Sequence, residues 1–163
     1  AYKAGEASGE EVEAMTTAMK SLNAVASEVM QEVGVNACTD ITGFGLLGHG
    51  LEMALASRVT LSFQAGKFPL MNGALRHAQS GLMPAASVQN KHHVSPNVRL
   101  EGKISDDLLD VLYGAETSGG LLVSLSREKA ETLLKNLHSR GVEEAVIVGE
   151  VTEKQDTLLV VKS

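Results

Sequence analysis

Residues 37–49 read Ala37-Cys38-Thr39-Asp40-Ile41-Thr42-Gly43-Phe44-Gly45-Leu46-Leu47-Gly48-His49. Val35 to Cys38 reads as a short buried strand. A carboxylate follows it, and a glycine-rich segment then opens a helix predicted over Gly43 to Ala56. That helix places Phe44, Leu47, Leu51 and Leu55 on one side. Three glycines within six residues weaken a helix, so they belong where backbones approach closely or turn unusually. A helix start offers free amides and the positive end of the dipole, which favour an anion such as phosphate. Asp40 at that point could hold a magnesium ion that bridges to phosphate oxygens. On residue types alone the simpler reading comes first, that Asp40 or Thr42 caps the helix and the glycines allow tight helix–sheet packing. The glycine order fits neither a phosphate loop nor a dinucleotide fingerprint, and no lysine follows it.

Working outward, Ser8-Gly9-Glu10-Glu11 has the pattern of a capping box. Val12, Met15, Met19, Leu22, Ala26, Val29 and Val33 recur behind it at spacings of three and four. This predicts one long helix ended by Gly34, packed on a sheet in preference to a coiled-coil seam. Val59, Leu61 and Phe63 alternate with Thr60, Ser62 and Gln64, the period of a half-buried strand. Gly73 to Ser80 predicts a short helix. Residues 82–97 contain two prolines and no clean period, which predicts a long functional or mobile loop.

The last third alternates helix and strand. Ser105 starts a helix through Tyr113, and Leu121 to Val123 is an apolar run. Ser126 starts a helix with Ala130, Leu133, Leu134 and Leu137 on one face, ended by Gly141. Strands are predicted over Ala145 to Val151 and Thr157 to Val161; the unbroken apolar run Leu158 to Val161 suits a strand covered on both faces. The expectation is one α+β domain over residues 1–163, with helices packed on one mixed sheet of about five or six strands.

The second glycine-rich segment, Glu116-Thr117-Ser118-Gly119-Gly120, precedes the strand at Leu121. Consecutive amides there could form an anion-binding nest, or only a tight turn. Cys38 lies in an apolar run without an adjacent base, so a buried structural role is expected, not that of a nucleophile. His92 and His93 are adjacent in the long loop and lack metal spacing; His49 is expected to pack.

Composition bounds the function classes. With 14 Lys+Arg against 20 Asp+Glu the net charge is 14 − 20 = −6, which disfavours a nucleic-acid partner. Hydrophobic residues make up 44% and charged residues 21%, proportions that fit a globular chain and not a disordered one. No apolar run is long enough to cross a membrane. A single cysteine excludes an internal disulfide and points to a reducing compartment, most simply the cytoplasm. The start at Ala1, without methionine, reads as a cut edge.

Residues 37–49, together with Thr117-Ser118-Gly119-Gly120-Leu121-Leu122, resemble the C-terminal half of the selenophosphate synthetase (selenide, water dikinase) family. That family lies within the wider AIR synthase-related superfamily. The order and distance of the two motifs, the long preceding helix and the late Gly149-Glu150-Val151 strand also match, so the resemblance covers nearly the whole chain. It implies an AIR synthase C-terminal domain-like fold that follows an N-terminal ATP-binding domain absent from this chain. That missing half carries the reactive Cys or selenocysteine, its neighbouring Lys and a nucleotide loop, and it forms much of a homodimer. The implied reaction converts ATP, selenide and water to selenophosphate, AMP and phosphate with Mg2+. Asp40 takes the place of the family's magnesium-binding aspartate. The candidate substrate or phosphate contacts are Thr39, Thr42, Gly43, Thr117, Ser118, Gly119 and Gly120, and no catalytic residue is assigned within this chain. Two departures stand out: Gly114-Ala115-Glu116 replaces the usual Asp-Pro-Gln, and Pro84-Ala85-Ala86-Ser87 leading to Gln89-Asn90 replaces Pro-Gly-Gly-Thr leading to Arg-Asn. Another ATP-using domain of the superfamily, or a non-catalytic binding or dimerisation module, is the alternative.

Overall fold

The computed structural model describes residues 1–163. Helices α1 (Gly9–Lys20) and α2 (Ala24–Val33) lead into strand β1 (Ala37–Asp40), helix α3 (Gly45–Ser57) and strand β2 (Val59–Gln64). Helices α4 (Ala74–Gln79) and α5 (Ala85–Val94), strand β3 (Val98–Glu101), helix α6 (Asp106–Leu112) and strand β4 (Leu121–Ser124) follow. The chain closes with helix α7 (Arg127–Ser139) and strands β5 (Gly149–Glu153) and β6 (Leu159–Lys162). This is the expected mixture of helices and mixed sheet, but the strands divide between two sheets. One has four strands in the order β3-β6-β2-β5; the other is an antiparallel β1-β4 ribbon.

Strand β6 pairs in parallel with both β2 and β3, and β2 pairs antiparallel with β5. Its central place explains the unbroken apolar run: Leu158 to Val161 are all buried. Leu47, Leu51 and Ala54 of α3 join Leu61, Phe63, Leu159 and Val161 in the main core, with Leu109, Leu112 and Tyr113 beside them. Strand β2 departs from its alternating pattern, because Thr60 and Ser62 are buried as well. The turn before β6 folds over that face. Thr60 Oγ1 donates to the Thr157 carbonyl at 2.8 Å and accepts from the Gln155 amide at 2.9 Å, so its burial leaves no polar group stranded.

Three local readings are corrected. The long N-terminal helix is two, broken at residues 21–23, and Leu22 is 85% exposed. No proline or glycine breaks it. A tertiary bond stands at the break, where Asn23 Nδ2 donates to the Gly119 carbonyl at 2.9 Å. Residues 82–97 are not a loop: α5 begins after Pro84, which stands at the N-cap in extended backbone, and a 3-10 turn follows. The buried face of α5 is Ser87, Asn90 and Val94, two of them polar, so hydrophobic periodicity had nothing to detect. Finally, the strand predicted over Ala145 to Val151 is regular only from Gly149, and β3 was unpredicted.

The capping box at Ser8 forms as expected, with Ser8 Oγ accepting from the Glu11 amide and Glu11 accepting from the Ser8 amide. Glu11 also ties α1 to α4, pairing with Arg76 at 2.7 Å and His77 at 3.3 Å. The Ser8 amide first, then the Arg76 guanidinium, hold the Glu11 carboxyl down at about 2 against an ordinary 4.5; partial desolvation works against them. A depressed carboxyl stabilises the fold fully above the unfolded value and loses that contribution as pH falls. Glu11→Gln is therefore expected to lower the thermal midpoint at pH 7. It should also shrink the acid-induced loss between pH 4.5 and about 2, followed by circular dichroism melts across that range.

Candidate functional site

The two glycine-rich segments meet. Asp40 pairs with Leu121 across the β1-β4 ribbon, and just beyond it the Ile41 amide donates to the Gly120 carbonyl at 2.9 Å. The Thr42 carbonyl accepts from the Gly45 amide and from the Glu116 amide, both at 3.0 Å. Glycine is required on both sides of this junction. Gly45 has φ +69°, and a Cβ there would stand 2.5 Å from the Gly114 carbonyl oxygen and 2.8 Å from that of Tyr113. A Cβ on Gly119 would collide with the Ile41 carbonyl oxygen. Backbone therefore packs directly on backbone.

Each predicted site residue can now be placed. Asp40 is exposed at the end of β1, and Thr39 beside it bonds only locally, Oγ1 to the Asp40 carbonyl at 3.2 Å. Capping does not account for Asp40 or Thr42, because α3 begins after Phe44 without any side-chain cap. Thr42 Oγ1 instead meets His49 Nε2 at 3.1 Å, while His49 Nδ1 lies 3.1 Å from Glu52 and the ring packs 5.4 Å from that of Phe44. His49 is buried, as its packing role requires. Gly43 is exposed with open space around its α-carbon. Thr117, Ser118 and Gly120 are exposed too, and Ser118 holds a left-handed φ of 53°. None of the four amides from Thr117 to Gly120 donates to another backbone group. Donors without a backbone partner thus stand beside the ribbon that carries Asp40.

No three His, Cys, Asp or Glu side chains converge to hold a metal anywhere in the chain. Magnesium commonly takes only one or two carboxylates along with water and substrate phosphates, so one exposed Asp40 carboxylate fits a share of such a site. Cys38 is corrected from buried to exposed. Its side chain alternates outward on the short ribbon, and local desolvation, then the Asp40 charge, push its thiol upward. That is the opposite of an activated thiolate. Desolvation within its turn also raises the Glu116 carboxyl.

Buried or half-buried polar side chains from other elements hold this junction together. Asn23 bonds the Gly119 carbonyl, Ser87 Oγ accepts from the Ala115 amide at 3.2 Å, and Asn90 Nδ2 reaches both the Gly43 and Tyr113 carbonyls. Ser87 and Asn90 stand in the segment that departs from the family's loop pattern, three apart, as polar residues on one face of α5.

The family model described as "AIR synthase related protein, C-terminal domain" matches residues 1–162. A selenide, water dikinase of Caldanaerobacter subterraneus subsp. tengcongensis is 50% identical over 138 residues, covering 85% of this chain and 40% of that protein. One from Clostridioides difficile is 43% identical over 88% of this chain and 41% of its own length. One from Pelobacter propionicus is 38% identical over 99% of this chain and 47% of its own. The chain thus spans less than half the length of these relatives. Among solved structures, hydrogenase maturation protein HypE matches with a TM-score of 0.52 at 23% identity, over 82% of this chain and 34% of that one. That likeness concerns the fold.

The junction makes a sharp prediction about two neighbouring glycines. Gly45→Ala combines a left-handed φ with a backbone collision and should cost roughly 2 kcal/mol or more in urea denaturation. Gly43→Ala meets nothing within 4 Å and should stay within about 1 kcal/mol of the parent.

Proposed function

Because this chain belongs to the AIR synthase related protein family of C-terminal domains, we propose that it is the C-terminal domain of a selenide, water dikinase. The full enzyme makes selenophosphate, AMP and phosphate from ATP, selenide and water. The observation that carries this reading is the 50% identity to a selenide, water dikinase across 85% of the chain. The meeting of the Asp40 segment with the Thr117–Gly120 turn gives it a physical basis.

In this reading Asp40 supplies one carboxylate to Mg2+, and the remaining ligands come from the N-terminal half and the nucleotide. When bound, the metal neutralises charge that develops on the transferring phosphoryl groups. Thr39 and the Thr42–Gly43 backbone border the metal-binding carboxylate. The free amides and hydroxyls of Thr117, Ser118, Gly119 and Gly120 present donors to phosphate oxygens. The His49 contact fixes the Thr42 hydroxyl, so Thr42 acts chiefly through its backbone. Catalytic groups stand on the N-terminal half, and the full-length protein works as a cytoplasmic homodimer. No helix here is long and apolar enough to cross a membrane.

In the full-length enzyme, Asp40→Asn should abolish magnesium-dependent AMP formation from ATP and selenide. Its thermal midpoint should hardly move, because an exposed surface substitution is worth within about 0.5 kcal/mol. A large stability loss with activity retained would assign Asp40 a structural role instead. The 163 residues alone should form no AMP.

A further inference from the structure

Helix α5 reaches both halves of the junction through buried polar side chains. Asn90 is 9% exposed, and its two Nδ2 hydrogens go to different segments: one to the Gly43 carbonyl at 2.9 Å, the other to the Tyr113 carbonyl at 3.1 Å. Two carbonyl acceptors fix which side-chain atom is the nitrogen. One turn earlier Ser87, 2% exposed, accepts from the Ala115 amide through Oγ at 3.2 Å. Gly43 of the first glycine-rich segment, and Tyr113 and Ala115 just ahead of the second, are thereby tied to a single helical face. Gly45 lies against the same Tyr113 and Gly114 carbonyls, so no side chain of its own can hold this gap.

We propose that Asn90, seconded by Ser87, is a positioning residue that sets the separation between the Asp40 segment and the Thr117–Gly120 turn. Both side chains are buried and act through the backbone they hold, not by touching a ligand. The inference rests on the reading of this junction as a magnesium and nucleotide site. Without the clamp the two segments remain joined by the β1-β4 ribbon, but the residues beyond its end lose their common anchor. Ligands gathered from both segments then bind more weakly, because small misplacements are costly where several groups converge on one substrate.

The test uses the full-length enzyme. Asn90→Leu keeps the side-chain shape, removes both donors, and should raise the KM for ATP and the half-saturating magnesium concentration about tenfold or more. The kcat at saturation of both should fall less. Ser87→Ala should move both constants in the same direction, by about threefold. If both variants keep these constants within about twofold of the parent while the thermal midpoint falls, Asn90 serves packing only and the proposal is overturned. Should Asn90→Leu fail to fold, Ser87→Ala decides by the same criterion. If the parent enzyme yields no AMP from ATP and selenide, the proposed function fails on its own, and amide hydrogen exchange tests the clamp instead. Faster exchange confined to residues 42–45 and 113–120 in Asn90→Leu supports it; unchanged or uniformly faster exchange overturns it.

Discussion

The close approach of Gly45 to the Tyr113 and Gly114 carbonyls is the constraint on which the rest of the arrangement depends. Two segments far apart in the chain can come this near only because Gly45 carries no Cβ at the contact. Once they do, their polar backbone leaves water and must find partners within the protein. The Thr42 carbonyl takes two amides, the Gly120 carbonyl takes one, and Asn23, Ser87 and Asn90 supply side-chain partners for the rest. The junction is therefore a hydrogen-bonded unit and not a loose meeting of turns.

That unit sits on a rigid base. Helix α3 starts from the junction and buries Leu47, Leu51 and Ala54 against the four-stranded sheet, whose central strand β6 is covered on both faces. Helix α6 ends at Tyr113, itself in the core, so the second segment leaves from the same packed layer. Core packing sets the positions of both segments, while Asp40 and the Thr117–Gly120 turn stay open to solvent. Supporting residues are thus buried and hydrogen-bonded, while the groups on the exposed side are left unpaired. The unpaired amides of the turn and the Asp40 carboxylate are the groups that the proposed magnesium and phosphate contacts would use.

Much of this was legible in the sequence. The capping box at Ser8, the strand at Leu158–Val161 and the helix carrying Leu133 follow from local chemistry that tertiary structure had no reason to override. Other features could not be read. The break at Leu22 reflects a contact of Asn23 with Gly119, which no local propensity encodes. Helix α5 buries serine and asparagine where periodicity looks for apolar residues. Cys38, in an apolar run, turned out exposed because its ribbon has only two strands and one of its faces stays open.

By itself, then, the sequence determined most of the element types, the identity of the two glycine-rich segments and the carboxylate just before the first. Glycine spacing and an isolated acidic residue are local facts, read without knowing what lies opposite. Only the tertiary structure decided that the segments touch, that Asp40 is free and not a cap, and that α5 holds them together. Each of those outcomes depends on which distant backbone carbonyl a buried donor finds, and that is settled when the core packs, not before.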